Sequence, residues 1–264
     1  IVVSANAGGA FSPFGDITTL MVWQRGFVSF FDFFNIFIPS VVNYIIPATI
    51  MSFFISNKIP EGDGQKVEIL SGGKIIALLG ILTISITVTG HQVLHMPPVF
   101  GMMFGLGMLG TYGYFLKTKS TGKNKFDIFH LTGKAEWDTL LFFYGILVCV
   151  GGLAALGYLK LISDDMYVTL GATYANILVG FLSAIIDNIP IVYAVLTAHP
   201  EMDMGQWLLI TLTAGVGGSL LSIGSAAGVA LMGQARGIYT FFSHLKWSWA
   251  ILLGCLLYTS DAAD

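Results

Sequence analysis

Two apolar runs, "KIIALLGILTISITV" from Lys74 to Val88 and "VFGMMFGLGMLGTYGYFL" from Val99 to Leu116, are separated only by a turn around "GHQVLHMPP". Each approaches the roughly 20 apolar residues that an α-helix needs to cross a bilayer. Inside hydrocarbon a backbone must satisfy its own hydrogen bonds, so such runs are expected to be helices. The chain has 264 residues, 55% hydrophobic and 10% charged, whereas soluble domains carry about 25% charged residues. That is too little polar surface for a water-soluble globule of this size. The expected fold is therefore an all-α polytopic membrane protein. The net charge of −3 implies no nucleic-acid partner, and two cysteines, Cys149 and Cys255, make neither a disulfide framework nor a metal site.

Apolar windows place the remaining spans. Ile17 to Trp23 reads as the second half of a broken helix. "FVSFFDFFNIF", with Asp32 and Asn35, suits an interfacial helix leading into a span from Ile36 to about Ile55. After a polar loop from Ser56 to Glu68 come the two runs above, then a lysine-rich loop from Lys117 to Lys134. A further span is expected from about Thr139 to Leu159. Tyr167 to Leu196 is apolar but interrupted by "DNIP", and Gln206 to Met232 is interrupted by glycines. Trp247 begins a last span. Lys117, Lys119, Lys123, Lys125 and Lys134 mark their loop as cytoplasmic. Parity puts Lys58, Lys66, Lys74 and Arg236 on the same side, and the "DNIP" segment then enters and leaves from the outer face.

The breaks carry the functional signal. "SANAGGAFSPFGDITTLM" (Ser4–Met21) and "AGVGGSLLSIGSAAGV" (Ala214–Val229) share the pattern GGxxxxxG followed by Asp or Ser: Gly8-Gly9 with Gly15-Asp16, and Gly217-Gly218 with Gly224-Ser225. Unwound backbone at membrane depth is tolerated only inside protein or beside a water-filled cavity. Its carbonyls can then hold a cation and half-helix N-termini an anion. Ser12, Ser222 and Asp16 add oxygens suited to a hard cation such as Na⁺. A glycine-rich stretch alone also fits close helix packing; the matched spacing, with Pro13 and Asp16, favours the ion site. The third element is "SAIIDNIPIVYAVL", in which Asp187 lies in an apolar setting before Asn188 and Pro190. An intramembrane acid is costly and marks function, since one carboxylate can hold either H⁺ or Na⁺. The alternative is a turn aspartate capping the next helix.

Taken together, "SANAGGAFSPFGDITTLMVW", "SAIIDNIPIVYAV" and "GVGGSLLSIGSAAGVALMG" resemble NhaD-type sodium/proton antiporters, of the ion transporter superfamily that includes citrate and arsenite permeases. The resemblance runs up to Gly254. It implies an inverted-repeat secondary transporter with a re-entrant hairpin and broken helices, in which residues 1–56 close the first repeat, 57–160 are connecting spans and the start of the second, and 161–254 hold the second hairpin and broken helix. The chain is then expected to be a fragment without the first repeat's own Asp-Asn hairpin. "CLLYTSDAAD" (255–264) resembles a translated sequencing adapter, the alternative being an ordinary polar terminus. The implied ion-binding set is Asp187, Asn188, Asp16, Asn6, Ser12, Thr18, Ser219, Ser222 and Ser225, with Gly8, Gly9, Gly15, Gly217, Gly218 and Gly224 forming the breaks.

The implied activity is exchange of Na⁺ or Li⁺ for H⁺ across a bacterial inner membrane, without enzyme activity, cofactor or resident metal. The expected partners are the lipid bilayer and the transported Na⁺, Li⁺ and H⁺; homodimerisation is allowed. An organic-anion or arsenite permease is the alternative, although Asp16 and Asp187 suit an anion poorly. A membrane metalloenzyme would rest on His91 and His95 alone, spaced i,i+4 but followed by Pro97 and Pro98. Asp164 and Asp165 are expected in a solvated outer loop, and Asp127, Glu136 and Asp138 on a charged cytoplasmic face. Trp23, Trp137, Trp207, Trp247 and Trp249 fit interfacial belts. The orientation is testable: a Ser120→Cys variant of the full-length protein should label with a membrane-impermeant maleimide only from the cytoplasmic face. Labelling from the outer face overturns the topology.

Overall fold

The computed structural model describes residues 1–55, 72–119, 132–133 and 137–259, and every regular element among them is helical. The Ser56–Glu68 loop, Asp127, Glu136 and Lys123, Lys125 and Lys134 of the lysine-rich loop lie outside the described residues. In order the helices are α1 (Val2–Ala10), α2 (Ile17–Gln24), a 3-10 turn (Asp32–Ile36), α3 (Phe37–Ser52), α4 (Gly73–Leu94), α5 (Pro98–Lys119), α6 (Trp137–Ala155), α7 (Tyr158–Leu170), α8 (Ala172–Ile185), α9 (Asn188–Ala198), α10 (Met204–Gly217), α11 (Ala226–Gln234), α12 (Phe241–Leu245) and α13 (Ser248–Thr259). Two compact units emerge, residues 58–140 and residues 1–57 with 141–264.

In the first unit α4 and α5 pair along their length. Gly101 and Gly105 of α5 sit directly against Thr87 and Thr83 of α4, so any added Cβ would collide. Away from that seam the pair exposes Leu78, Ile81, Val99, Met103 and Phe104, a surface suited to lipid. Among the described residues, three helical segments are long and apolar enough to cross a membrane, Asp32–Ser52, Gly73–Leu94 and Pro98–Thr118, and a bent pair, Leu140–Ala155 with Tyr158–Leu170, makes a fourth if it counts as one span.

The second unit is built around α10. Every residue from Trp207 to Gly217 is buried, the signature of a helix enclosed on all sides. It packs on α8, α1, α9, α2 and α13, while α13 also lies along α3. The second glycine-rich break follows directly from the end of this hub, the first lies between α1 and α2, which both pack on it, and the two breaks turn alike at corresponding positions. A Cβ at Gly9 would sit 2.6 Å from the Gly15 carbonyl oxygen and 3.3 Å from the Asp16 Cβ; at Gly218 the same positions, Gly224 and Ser225, lie at 2.5 Å and 3.2 Å. The Gly15 N–H donates to Ser12 O at 2.9 Å and the Gly224 N–H to Leu221 O at 3.1 Å. Asp16 (φ −141°, ψ 153°) and Ser225 (φ −151°, ψ 152°) are both extended N-caps, of α2 and α11. Repeated glycine spacing has produced one turn twice.

The "DNIP" segment also breaks a helix. Ile186 is extended and Asp187 caps α9, whose Ile189 N–H donates to Asp187 Oδ1 at 3.4 Å. Since α9 returns to pack against α7, from which α8 departs, α8 and α9 form a hairpin. At 14 and 11 residues these arms are about 21 and 17 Å long, short of a hydrocarbon core of about 30 Å.

Several expectations change. The span placed at Thr139–Leu159 stops at Ala155. Gly157, at φ 83°, turns the chain, and the helices on either side meet at 78°. Asp164 and Asp165 are then not in a loop but within α7, because no breaker separates Gly157 from Gly171. The interfacial segment is a 3-10 turn, and the following span ends at Ser52 rather than Ile55. Trp23 and Trp207 are buried rather than interfacial: Trp23 packs on Phe14 and Phe30, and Trp207 stacks on Phe27 at 4.1 Å. His95 lies beyond the end of α4 in a left-handed conformation, so it shares no helical face with His91, whose Nδ1 meets Met96 O at 3.1 Å. α13 runs from Ser248 through Cys255, Leu256 and Leu257 to Thr259.

The glycine pairs generate a sharp expectation. Gly9→Ala and Gly218→Ala should each destabilise the protein by about 1–3 kcal/mol, because a carbonyl oxygen already occupies the space. Gly8, which has open space around its Cβ position, should tolerate alanine with a change of no more than about 1 kcal/mol. Thermal unfolding in detergent compares the three variants.

Candidate ion site

Asp16 is where the two sequence motifs meet. Its position follows from the first break: Thr19, fully buried, donates through Oγ1 to the carbonyls of Ser12 and Asp16, both at 2.8 Å. These bonds pin both ends of the unwound loop to the first turn of α2. The Asp16 carboxylate then accepts from Thr18 N–H through Oδ1 at 3.4 Å, and Oδ2 accepts from Asn188 Nδ2 at 3.2 Å. The second bond spans 172 residues of sequence and joins the hairpin tip to the first break. Asp187, next along the tip, is close enough to Asp16 for their charges to interact. No lysine or arginine partners either carboxylate among the described residues.

A third oxygen borders the pair. Thr18 is completely buried beside the Asp16 carboxylate, yet its Oγ1 completes no hydrogen bond of good geometry. Facing it is Gly215 of α10, where a Cβ would lie 3.4 Å from Asp16 Oδ2 and 4.0 Å from Thr18 Oγ1. The absence of a side chain at Gly215 therefore leaves room beside the Asp16 carboxylate and the Thr18 hydroxyl. Buried polar atoms nearly always find partners, and a hydroxyl held this loosely beside a carboxylate has lone pairs to offer a cation.

The hairpin tip is also fixed from its other side. Ser183 donates through Oγ to Ala214 O of α10. A Cβ at Gly224 would collide with the carbonyls of Ser183 and Ala184, so the second break lies flat on the end of α8. Gly217 serves packing against α8, since its Cβ position meets the Gly180 backbone. At the hairpin base, buried Asn176 accepts from Tyr167 Oη at 2.8 Å and donates to Gln206 Oε1 at 3.0 Å, while Gln206 donates to Thr173 Oγ1 at 2.9 Å. The tip is thus wedged between both breaks.

The remaining expected residues divide by location. Asn6 of α1 donates through Nδ2 to Ser219 Oγ at 2.9 Å, the direct link between the two broken elements. The serine hydroxyls stay within their own halves: Ser12 Oγ accepts from Phe14 N–H, Ser225 Oγ caps α11 through Gly228 N–H, and Ser222 Oγ lies 3.3 Å from Met232 Sδ. Sequence reasoning missed Thr19, Ser183 and Gly215, although each lies within four residues of a residue it had chosen. An apolar cleft lined by Asn43, Gly180, Leu212, Thr213 and Val216 contains neither acid.

The profile of the citrate transporter family matches residues 1–215. The chain is 55% identical to the Na⁺/H⁺ antiporter NhaD of Vibrio parahaemolyticus over 96% of its own length and 67% of that relative. It is 56% identical to the NhaD of Alkalimonas amylolytica, again over 96% of this chain, and spans 57% of that protein. Sodium/proton antiporter 1 of Arabidopsis thaliana is 34% identical over 89% of the chain and 43% of the relative.

Thr18→Val tests the hydroxyl, because it keeps the shape and removes only the oxygen. Stability without Na⁺ should fall by no more than about 1.5 kcal/mol, the most that its weak contact with the Asp16 carboxylate would cost. The rise in melting temperature on replacing choline chloride with NaCl should shrink. A large loss of stability with an intact NaCl response would show that the hydroxyl serves the fold alone.

Proposed function

The chain belongs to the citrate transporter family and, within it, to the NhaD-type antiporters, and from that premise we propose that the whole protein exchanges Na⁺ for H⁺ across the bacterial inner membrane. The observation that carries the reading is the Asn188–Asp16 bond, which sets Asp187 beside a second acid with no basic partner. Two neighbouring carboxylates repel when both are charged. In a setting of low dielectric that repulsion is relieved by a proton or by a bound cation, and competition between the two is the basis of exchange. Asp187 is the exchangeable carboxylate in this reading. Asp16 and Thr18 supply further oxygens, and Asn188 holds the tip against the first break. The remaining members of the site, Asn6, Ser12, Ser219, Ser222 and Ser225, shape the broken segments around it.

The same geometry argues against a carboxylate substrate, because among the described residues citrate would meet two acids and no arginine or lysine. A metalloenzyme loses its basis once His95 leaves the helix that carries His91. The transport reading calls for no cofactor and no enzymatic step; Li⁺ as an alternative cargo and a homodimer as the assembly belong to the same reading.

Exchange by everted vesicles carrying the full-length protein provides the test. Asp187→Asn keeps an oxygen and the α9 cap but cannot carry a proton, so Na⁺-driven proton movement should fall to background. Asp16→Asn retains the α2 cap, since Asn caps about as well as Asp, and should exchange with weakened Na⁺ affinity. Near-normal, pH-dependent exchange by Asp187→Asn would place the proton on another residue. Citrate uptake by the wild type without Na⁺/H⁺ exchange would replace the reading with the permease.

A further inference from the structure

We infer that His244 is a positioning residue for transport, holding the unwound backbone after α10 in the geometry that lets Ser219 engage Asn6. α10 ends at Gly217, and the next backbone carbonyls have left the regular helical ladder. Two of them are taken up by groups from further along the chain. His244 Nε2 lies 2.8 Å from Ser219 O, and Ser248 Oγ donates to Leu220 O. A carbonyl oxygen can only accept, so the Nε2 position carries the proton, and Nδ1 is the pole that faces the Tyr239 hydroxyl. The Ser219 carbonyl thereby fixes the tautomer, and the Tyr239 hydroxyl, donating to Nδ1, holds the ring orientation.

His244 is buried at 6% exposure, and nothing in the Asp16–Asp187 cluster uses it. Its element is short but well anchored. Thr240 and Ser243 close a capping box at the start of α12, with the Thr240 N–H donating to Ser243 Oγ at 2.8 Å and the Ser243 N–H to Thr240 Oγ1 at 3.3 Å. The result is a continuous chain from Tyr239 through His244 and Ser219 to Asn6 of α1. Asn6 lies in the helix that leads into the first break, and Ser219 opens the second. A side chain that grips the Ser219 carbonyl therefore controls the register of one broken element against the other. No motif marks His244, because the residues it serves lie 25 positions away.

This inference rests on the antiporter reading, so the experiment separates the two. Full-length protein is reconstituted in proteoliposomes, and proton flux is followed against Na⁺ concentration at fixed pH. A wild type that moves no protons in response to Na⁺ sinks the antiporter reading, and the inference falls with it. With an active wild type, His244→Ala should raise the apparent KM for Na⁺ by about 2- to 13-fold, the value of one hydrogen bond, with the maximal rate little changed. His244→Gln, whose amide N–H can reach the same carbonyl, should restore most of that affinity. If alanine and glutamine behave alike, or alanine keeps the wild-type KM, His244 does not position the site. Should His244→Ala fail to reach the membrane, Tyr239→Phe decides: removing one hydroxyl should raise the KM by about threefold, and an unchanged KM overturns the inference.

Discussion

When a helix unwinds inside the hydrocarbon layer, several N–H and C=O groups lose their partners at once, and each costs several kcal/mol if left that way. The second unit depends on how that cost is met. Both breaks use the same backbone turn, in which paired glycines six residues apart let one carbonyl lie where a side chain would be. An extended residue then starts the next half-helix and caps it with its own side chain. The capping oxygen differs: a carboxylate at Asp16, a hydroxyl at Ser225. Conserving the turn while changing the cap gives the protein two similar ledges, only one of which carries charge.

The hairpin converts those ledges into a site. Its arms are too short to span, so its tip stops within the protein, where Gly224 receives the end of α8 and Asp16 receives Asn188. Rigidity at the tip comes from the base. Asn176 donates to Gln206 and accepts from Tyr167, Gln206 donates to Thr173, and Thr213 donates to Asn176 O at 2.9 Å. Fully paired polar networks specify one arrangement where apolar packing would allow sliding. Close approach of Gly180 to Thr213 and Gly217 sets the distance between the same two helices. Register and separation are thus fixed independently, and the tip inherits both.

The sequence made the breaks legible because their signal is local. Six-residue glycine spacing, a capping Asp or Ser and the "DNIP" punctuation each describe a few adjacent residues, and the structure has turns at those places. Contacts across long separations were not legible. Nothing near Asp16 announces Asn188, and nothing near Ser219 announces His244. Where sequence reasoning erred, a general rule stood in for context. Two aspartates suggested a loop, yet Asp164 and Asp165 lie in a helix bounded by Gly157 and Gly171. Tryptophan suggested the membrane interface, yet Trp23 and Trp207 fill the interior. The charged-loop argument for orientation concerns segments largely outside the described residues, so it remains a statement about sequence.

Unequal caps have a chemical consequence. Were both breaks to end in serine, Asp187 would be the one carboxylate of the proposed site, with no second acid beside it to raise its affinity for a cation or a proton. Were both to end in aspartate, the tip with Asp187 would stand among three carboxylates, and at least one would stay protonated whether or not Na⁺ was present. In the proposed site, one acid on the first ledge and one on the tip form a pair whose repulsion a single proton or a single cation relieves. Ser225, capping α11 without charge, adds no third carboxylate to that pair.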